Sequence, residues 1–233
     1  AQVLSVSSNV GASRIALEMA PANLYRTLRG FGFGEVTASG FPGERAGELS
    51  HYQQWRRLRQ ATLAYGYGVS ATTLQLARGY AAIASGGVIR PVSFVRLDER
   101  PEGRRALDSR TARTLRRMLE GVVEHGTGGR AAIQGYRVAG KTGTARKVGA
   151  SGYTDRYVSV FAGMLPASEP RLVGVVMINE PSGEAYYGGE VAAPVFARVM
   201  RGAARLLDIP PDDLPPGRGV VSAPPTTSRG DTG

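Results

Sequence analysis

The 233-residue chain has 29 lysine and arginine residues against 19 aspartate and glutamate residues, a formal net charge of +10, and no cysteine. The lack of cysteine excludes disulfide bonds and thiolate metal sites. The positive charge would suit a nucleic-acid-binding protein, but the arginines are scattered and no zinc-finger or helix-turn-helix pattern occurs. We therefore expect an arginine-rich exposed surface and no nucleic-acid partner.

The first ninety residues predict helices separated by loops. Ser8-Asn9 forms a natural N-cap before an amphipathic helix over residues 10–20, and Pro21 opens a second helix. Residues 39–54 are polar and punctuated by glycine, which predicts a loop. The segment 72–85 repeats apolar residues at helical spacing, so it predicts the clearest helix of this half.

The second half of the chain predicts a sheet. An alternating pattern predicts a strand over residues 88–97, and helical spacing predicts a helix over 109–124. Three further strands are predicted over residues 136–146, 157–165 and 171–179. Only a short turn bounded by prolines separates the last two, so they should pair antiparallel.

Pro194 predicts the start of a final helix, whose inward-facing residues would be Val195, Val199, Ala203 and Leu206. Beyond Pro210 the composition shifts to proline, glycine, serine and threonine without apolar periodicity. We predict a domain portion over residues 1–209 and a disordered tail over 210–233. Helices first, then a mainly antiparallel sheet, then a covering helix indicate an α+β fold.

Two polar clusters carry the chemistry of this sequence: Ser7-Ser8-Asn9 before a helix and Lys141-Thr142-Gly143-Thr144 on a strand. The only two lysines, Lys141 and Lys147, lie in or beside the second cluster, and lysine, unlike arginine, is a compact titratable charge. A hydroxyl and an amide at a helix N-terminus can relay a proton and hold a substrate amide. An ammonium on a facing strand attracts a carboxylate.

The second cluster can also hold a ligand through its neighbours. Hydroxyls at Thr142 and Thr144 can bind the same carboxylate, and Gly143 lets a ligand lie close to the strand. A backbone N–H on that strand can face a developing oxyanion. The two clusters match two of the three elements of penicillin-interacting serine enzymes.

The wider sequence resembles the transpeptidase domain of class B penicillin-binding proteins, most closely the division-specific septal D,D-transpeptidases (the FtsI type) of Gram-negative bacteria. The stretches that carry the resemblance are residues 7–11, 64–72, 84–91, 138–148, 186–189 and 193–196. The resemblance covers nearly everything except the tail. It implies the penicillin-binding transpeptidase or serine β-lactamase-like fold, in incomplete form.

The resemblance implies a role for each matching residue. Ser7 would relay a proton to the leaving amine, Asn9 would contact the amide of the peptide or β-lactam, and Lys141 is the lysine of Lys-Thr-Gly. Thr142 and Thr144 would bind the terminal carboxylate, with the Thr144 N–H in the oxyanion hole.

Three tyrosines are implied to form an aromatic wall near the mouth of the site: Tyr157, Tyr186 and Tyr187. Ordinary packing is the alternative interpretation of these rings.

One departure from the family pattern concerns the nucleophile. The family carries it in a Ser-x-x-Lys motif upstream of Ser-x-Asn, and this sequence contains no such motif. Thr144-Ala145-Arg146-Lys147 fits only formally, because a strand does not place residues three apart on one face. We therefore expect a C-terminal part of a longer protein, inactive alone, without the nucleophile, a pedestal domain and a membrane anchor.

The resemblance implies a peptidoglycan D,D-transpeptidase that cross-links D-Ala-D-Ala stem peptides during septal cell-wall synthesis and is a β-lactam target. It implies no metal or organic cofactor, a place on the periplasmic side of the bacterial inner membrane, and divisome membrane proteins as partners, including a glycosyltransferase. A D,D-carboxypeptidase or β-lactamase-like hydrolase would use the same clusters with water as acceptor. A non-catalytic β-lactam sensor domain is a further alternative.

Overall fold

The computed structural model of the protein describes residues 1–149 and 152–213. Its α-helices are α1 (Gln2–Ser5), α2 (Asn9–Glu18), α3 (Pro21–Gly30), α4 (Arg57–Leu63), α5 (Thr73–Ala84), α6 (Ser109–His125) and α7 (Gly188–Leu206). Its strands are β1 (Glu48–Leu49), β2 (Val69–Ser70), β3 (Val88–Ile89), β4 (Arg104–Arg105), β5 (Ala139–Gly149), β6 (Gly152–Leu165) and β7 (Leu172–Asn179). Short 3-10 helices lie at Tyr52–Gln54 and Gly129–Ala131.

The main sheet has the order β5-β6-β7 within the described residues, and both pairs of neighbours are antiparallel. Lys141 of β5 lies opposite Ala162 of β6, and Val158 of β6 lies opposite Asn179 of β7. Helices precede this sheet and α7 covers one face of it, which confirms the predicted α+β fold. The strand that carries Lys-Thr-Gly is therefore at an edge of the sheet, where a ligand can reach its backbone.

The core between α7 and the sheet is built from aromatic rings and small residues. Phe161 of β6 and Phe196 of α7 are fully buried, with ring centroids 4.7 Å apart. Apart from Met200, the other buried residues of α7 are glycine or alanine, which let the helix lie close to the strands: Gly188, Ala192, Ala193, Ala197, Met200 and Ala204.

The prediction for α7 was wrong in both its start and its buried face. The helix begins at Gly188, and Pro194 lies inside it. Val199 and Leu206 are exposed, at 58% and 86% of their surface, instead of facing inward. The pattern misled because valine and leucine are usually the buried residues, whereas close packing on this sheet requires alanine.

Other boundaries also differ from the predictions. The predicted strand over 88–97 is limited to Val88–Ile89, because Pro91 has no N–H and the Ser93 hydroxyl forms a turn with the backbone of Val95. Strand β5 begins at Ala139 rather than at residue 136. The predicted loop 39–54 includes β1 and one 3-10 helix.

Two buried glutamines hold the helical half together. The Gln60 amide donates hydrogen bonds of 2.8 Å to the carbonyl oxygens of Ala16 and Met19, which fixes α4 against α2. Gln75 completes a capping box with Thr72 at the start of α5, and its amide also donates to the carbonyl of Glu35. The helix that begins with Asn9 is thereby held in place on the rest of the domain.

The C-terminal residues that the structure describes are attached to the domain. The Asp212 carboxylate accepts hydrogen bonds from the N–H of Arg137 at 2.8 Å and from the Ser168 hydroxyl at 2.6 Å. The domain limits at 209 and 210 stay a prediction, and the rest of the predicted tail, residues 214–233, lies outside the described residues. No helix in the described part of the chain is long and apolar enough to span a membrane.

The approach of α7 to β5 generates a stability prediction. A Cβ added at Gly188 would collide with the backbone oxygens of Gly143 and Val160, whereas one added at Gly202 of the same helix would meet open space. Gly188→Ala should therefore lower the free energy of unfolding by about 2 kcal/mol. Gly202→Ala, the matched control, should raise it by about 0.5–1 kcal/mol, since glycine disfavours helix interiors. Equal urea-unfolding midpoints for the two variants would contradict the close packing.

Candidate active site

A tight turn between α1 and α2 presents Ser7. Ser7 has a φ of 53°, in the left-handed region that residues with a Cβ seldom adopt. Ser8 then caps α2, with its hydroxyl accepting from the N–H of Gly11 at 3.1 Å. The turn is tied to the end of α6, because the Ser5 carbonyl accepts from the Thr127 N–H at 3.2 Å. Strained, well-anchored residues of this kind cluster at functional sites.

The Lys141 ammonium meets the Ser7 hydroxyl across the site. Nζ donates to Ser7 Oγ at 2.7 Å, although the two residues are 134 positions apart in sequence. It also donates to the carbonyl and hydroxyl of Thr142, at 3.1 and 3.3 Å. Burial lowers the pKa of Lys141 to about 8, since desolvation disfavours the charged form. Because Ser7 Oγ accepts this bond, its own proton is free to pass to a third group.

The two threonine hydroxyls beside the lysine are held in position. Thr142 Oγ1 lies 2.8 Å from Thr127 Oγ1, at the loop after α6. Thr144 Oγ1 accepts from the N–H of Gly188, the first residue of α7, at 3.0 Å. The Thr144 hydroxyl therefore keeps its proton available to donate to an incoming carboxylate.

The open edge of β5 carries a backbone donor. The Arg146 N–H donates to the Tyr67 hydroxyl at 3.3 Å rather than to β6. Because N–H groups alternate between the two sides of a strand, the N–H of Thr144 lies on the same open edge. Gly143, next to Thr144, has no side chain that would cover this edge. This edge can therefore offer a hydrogen bond to a carbonyl oxygen or oxyanion.

Asn9, the first residue of α2, is exposed and lines the same cleft, which has a volume of about 910 Å³. Its side chain makes no hydrogen bond with any described residue. Ser7, Lys141, Thr142, Gly143 and Thr144 line this cleft too. The structure thus brings both polar clusters of the sequence to one place, and the roles of their members stay predictions.

The three tyrosines form one stack. Tyr157 and Tyr186 stack with ring centroids 4.0 Å apart, and Tyr186 lies 4.5 Å from Tyr187. A hydrogen bond with the Tyr187 hydroxyl is the main cause that raises the pKa of Tyr186 to about 12. Of the three rings, only Tyr187 is among the described residues that line the cleft.

Sequence reasoning assigned no site role to several residues that line the cleft, among them the polar side chains of Tyr65, Thr127, Arg130 and Glu190. The Gly126-Thr127-Gly128 sequence after α6 was a usable signal, since glycines let backbones approach closely. A Cβ at Gly126 would strike the Ser5 carbonyl, and one at Gly189 would strike the Thr127 carbonyl. Arg130 is one arginine among 27, so nothing in the sequence distinguishes it from the others.

Comparisons with known proteins identify the family of the chain. The family model described as the penicillin binding protein transpeptidase domain matches residues 1–201. "Peptidoglycan D,D-transpeptidase FtsI" of Escherichia coli K12 is 46% identical over 217 residues, and "Probable peptidoglycan D,D-transpeptidase PbpC" of Pseudomonas aeruginosa is 44% identical over 214. These matches cover 92% and 91% of this chain, but only 37% and 38% of the relatives.

A solved structure shows the same likeness. The apo transpeptidase domain of penicillin-binding protein 3 from Burkholderia pseudomallei is 42% identical, with a TM-score of 0.87. The match covers 91% of this chain and 65% of that one. The fold, the meeting of Ser7 with Lys141 and the family match lead to one conclusion: the chain belongs to the penicillin-binding protein transpeptidase domain family.

Proposed function

We propose that the chain supplies the Ser-x-Asn and Lys-Thr-Gly parts of a serine D,D-transpeptidase that cross-links stem peptides in septal peptidoglycan and is acylated by β-lactams. The observation that carries the proposal is the 2.7 Å hydrogen bond from Lys141 to Ser7, in a cleft bordered by the open edge of β5. The relatives named as peptidoglycan D,D-transpeptidases support it. Their names favour transfer over the hydrolase and sensor alternatives.

The geometry suggests how these residues act. The terminal carboxylate of the donor peptide binds the Lys141 ammonium and the hydroxyls of Thr142 and Thr144, and its scissile carbonyl accepts from the Thr144 N–H. A serine from a Ser-x-x-Lys motif, which this sequence lacks, attacks the carbonyl carbon. Ser7 then gives its proton to the departing amine and takes a replacement from Lys141. The Asn9 amide holds the donor backbone.

The setting of the reaction is part of the same proposal. The division-type resemblance supports activity on the periplasmic side of the inner membrane, with divisome membrane proteins and a glycosyltransferase as partners. Every charge needed by the mechanism comes from protein groups, so the proposal requires no cofactor.

Substitution of Lys141 tests the proposal in the complete natural protein. Lys141→Ala should slow acylation by a fluorescent penicillin about a hundredfold, because it removes the charge facing the carboxylate. Lys141→Arg should be labelled less than about tenfold faster than Lys141→Ala, since a guanidinium is wider and keeps its proton. The rate of covalent labelling, followed by denaturing electrophoresis, measures both effects.

Lys147→Ala is the matched control. Lys147 is the other lysine and lies on the same strand, but it pairs with Glu180 outside the cleft, so its loss should leave labelling nearly unchanged. Full activity of Lys141→Arg would show that only a charge is required. The 233-residue chain alone should retain no label, and a label at one of its own serines would refute the assigned roles.

A second prediction concerns pH. With its pKa lowered to about 8, Lys141 keeps its ammonium below that pH and loses it above, well before an ordinary lysine would. The acylation rate of the complete protein should therefore fall as pH rises through about 8. Lys147→Ala should keep this alkaline limb, and Lys141→Arg should lack it. A limb that persists in Lys141→Arg would assign the titration to another group.

A further inference from the structure

The active-site cleft contains two opposite charges that the mechanism above does not use. Arg130 follows the loop after α6, and Glu190 lies in the first turn of α7. Both line the cleft, and neither forms an ion pair with any residue the structure describes. Two unpaired opposite charges in one cleft suit a ligand that carries both signs.

The packing of the backbone shows that these charges belong to one wall. Gly189, next to Glu190, lies against the carbonyl of Thr127, three residues before Arg130. Thr127 in turn meets Thr142 through their hydroxyls at 2.8 Å. Arg130 and Glu190 are thereby placed beside the Lys141–Thr142 end of β5, rather than beside its Arg146 end.

The direction of the donor peptide decides which substrate reaches this wall. In the proposed binding mode the terminal carboxylate lies between Lys141 and the hydroxyls of Thr142 and Thr144, and the scissile carbonyl accepts from the Thr144 N–H. The body of the donor then continues along β5 toward Arg146. The leaving residue therefore departs from the end that Arg130 and Glu190 border. By microscopic reversibility, the amine that replaces the leaving amine enters from the same end.

We propose that Arg130 and Glu190 bind the acceptor substrate, a peptide that carries a primary ammonium and a carboxylate. Glu190 attracts the ammonium, and Arg130 holds a carboxylate of the acceptor chain. The proposal rests on the proposed transpeptidase function. In the step it serves, the bound ammonium first releases one proton to water. The resulting neutral amine nitrogen then bonds to the acyl carbon, and the ester bond to the serine breaks. The proton of the amine passes to the serine oxygen through Ser7 and Lys141.

The test uses the complete natural protein, a donor that ends in a D-alanyl thioester, and two acceptors. One acceptor is a tripeptide with a free side-chain amine and a free carboxylate, and the other is the same tripeptide with that carboxylate amidated. Thiol release reports the donor reaction, and the ratio of amide product to hydrolysis product reports capture by the acceptor. Both readouts come from the same sample.

Glu190→Gln should lower the ratio of transfer to hydrolysis about five- to tenfold for both acceptors, because an amide holds an ammonium less well than a carboxylate. Arg130→Gln should lower it for the free-carboxylate acceptor only. Arg130→Glu should reverse the order, so that the amidated acceptor is captured better. A residue that only shapes the cleft would not reverse a preference of this kind.

Arg198→Gln and Glu184→Gln, outside the cleft, are the controls and should leave the ratio at the wild-type value. Equal losses of thiol release and transfer in the Arg130 and Glu190 variants would overturn the proposal, because the two residues would then act on the donor. An unchanged preference between the acceptors in Arg130→Glu would also overturn it. Failure of the wild-type protein to release thiol would instead reject the proposed transpeptidase function, which the acceptor assignment requires.

Discussion

The hydrogen bond between the Lys141 ammonium and the Ser7 hydroxyl is the interaction on which the site depends. It joins a strained turn between two N-terminal helices to an edge strand 134 residues later. Ser5 fixes the turn to the loop after α6, and Gly188 lets α7 pack directly on β5. Each of these contacts is ordinary by itself. Together they hold the cluster of Ser7 and the cluster of Lys141 close enough for a hydrogen bond between them.

The same bond explains how one lysine can serve two purposes. Burial disfavours its charged form and lowers its pKa to about 8, close to working pH. Below that pH it remains a cation that can attract a carboxylate, and it can still exchange a proton with Ser7. Arginine, which supplies nearly all the other positive charge of this chain, could provide only the first of these. This difference accounts for a lysine at this position.

The features that depend on local sequence were predictable, and those that depend on distant packing were not. The cap at Ser8, the helix near 72–85 and the antiparallel strands follow from short patterns. The buried face of α7 was misjudged because the sheet selects alanine there for close approach. Arg130 and Glu190 escaped notice because only the folded chain brings them beside Thr142. Recognition of Ser-x-Asn with Lys-Thr-Gly predicted where the candidate site lies, but tertiary packing determines which residues line it.

The central claim is that Ser7 and Lys141 act as one proton-relay unit, and a double-mutant cycle tests it most directly. The acylation rate of the complete protein by a β-lactam would be measured for Ser7→Ala, Lys141→Ala and the double variant. If the two groups act as a unit, the double variant should be within about threefold of the slower single variant. A double variant whose loss equals the product of the two single losses would show independent groups and contradict the account.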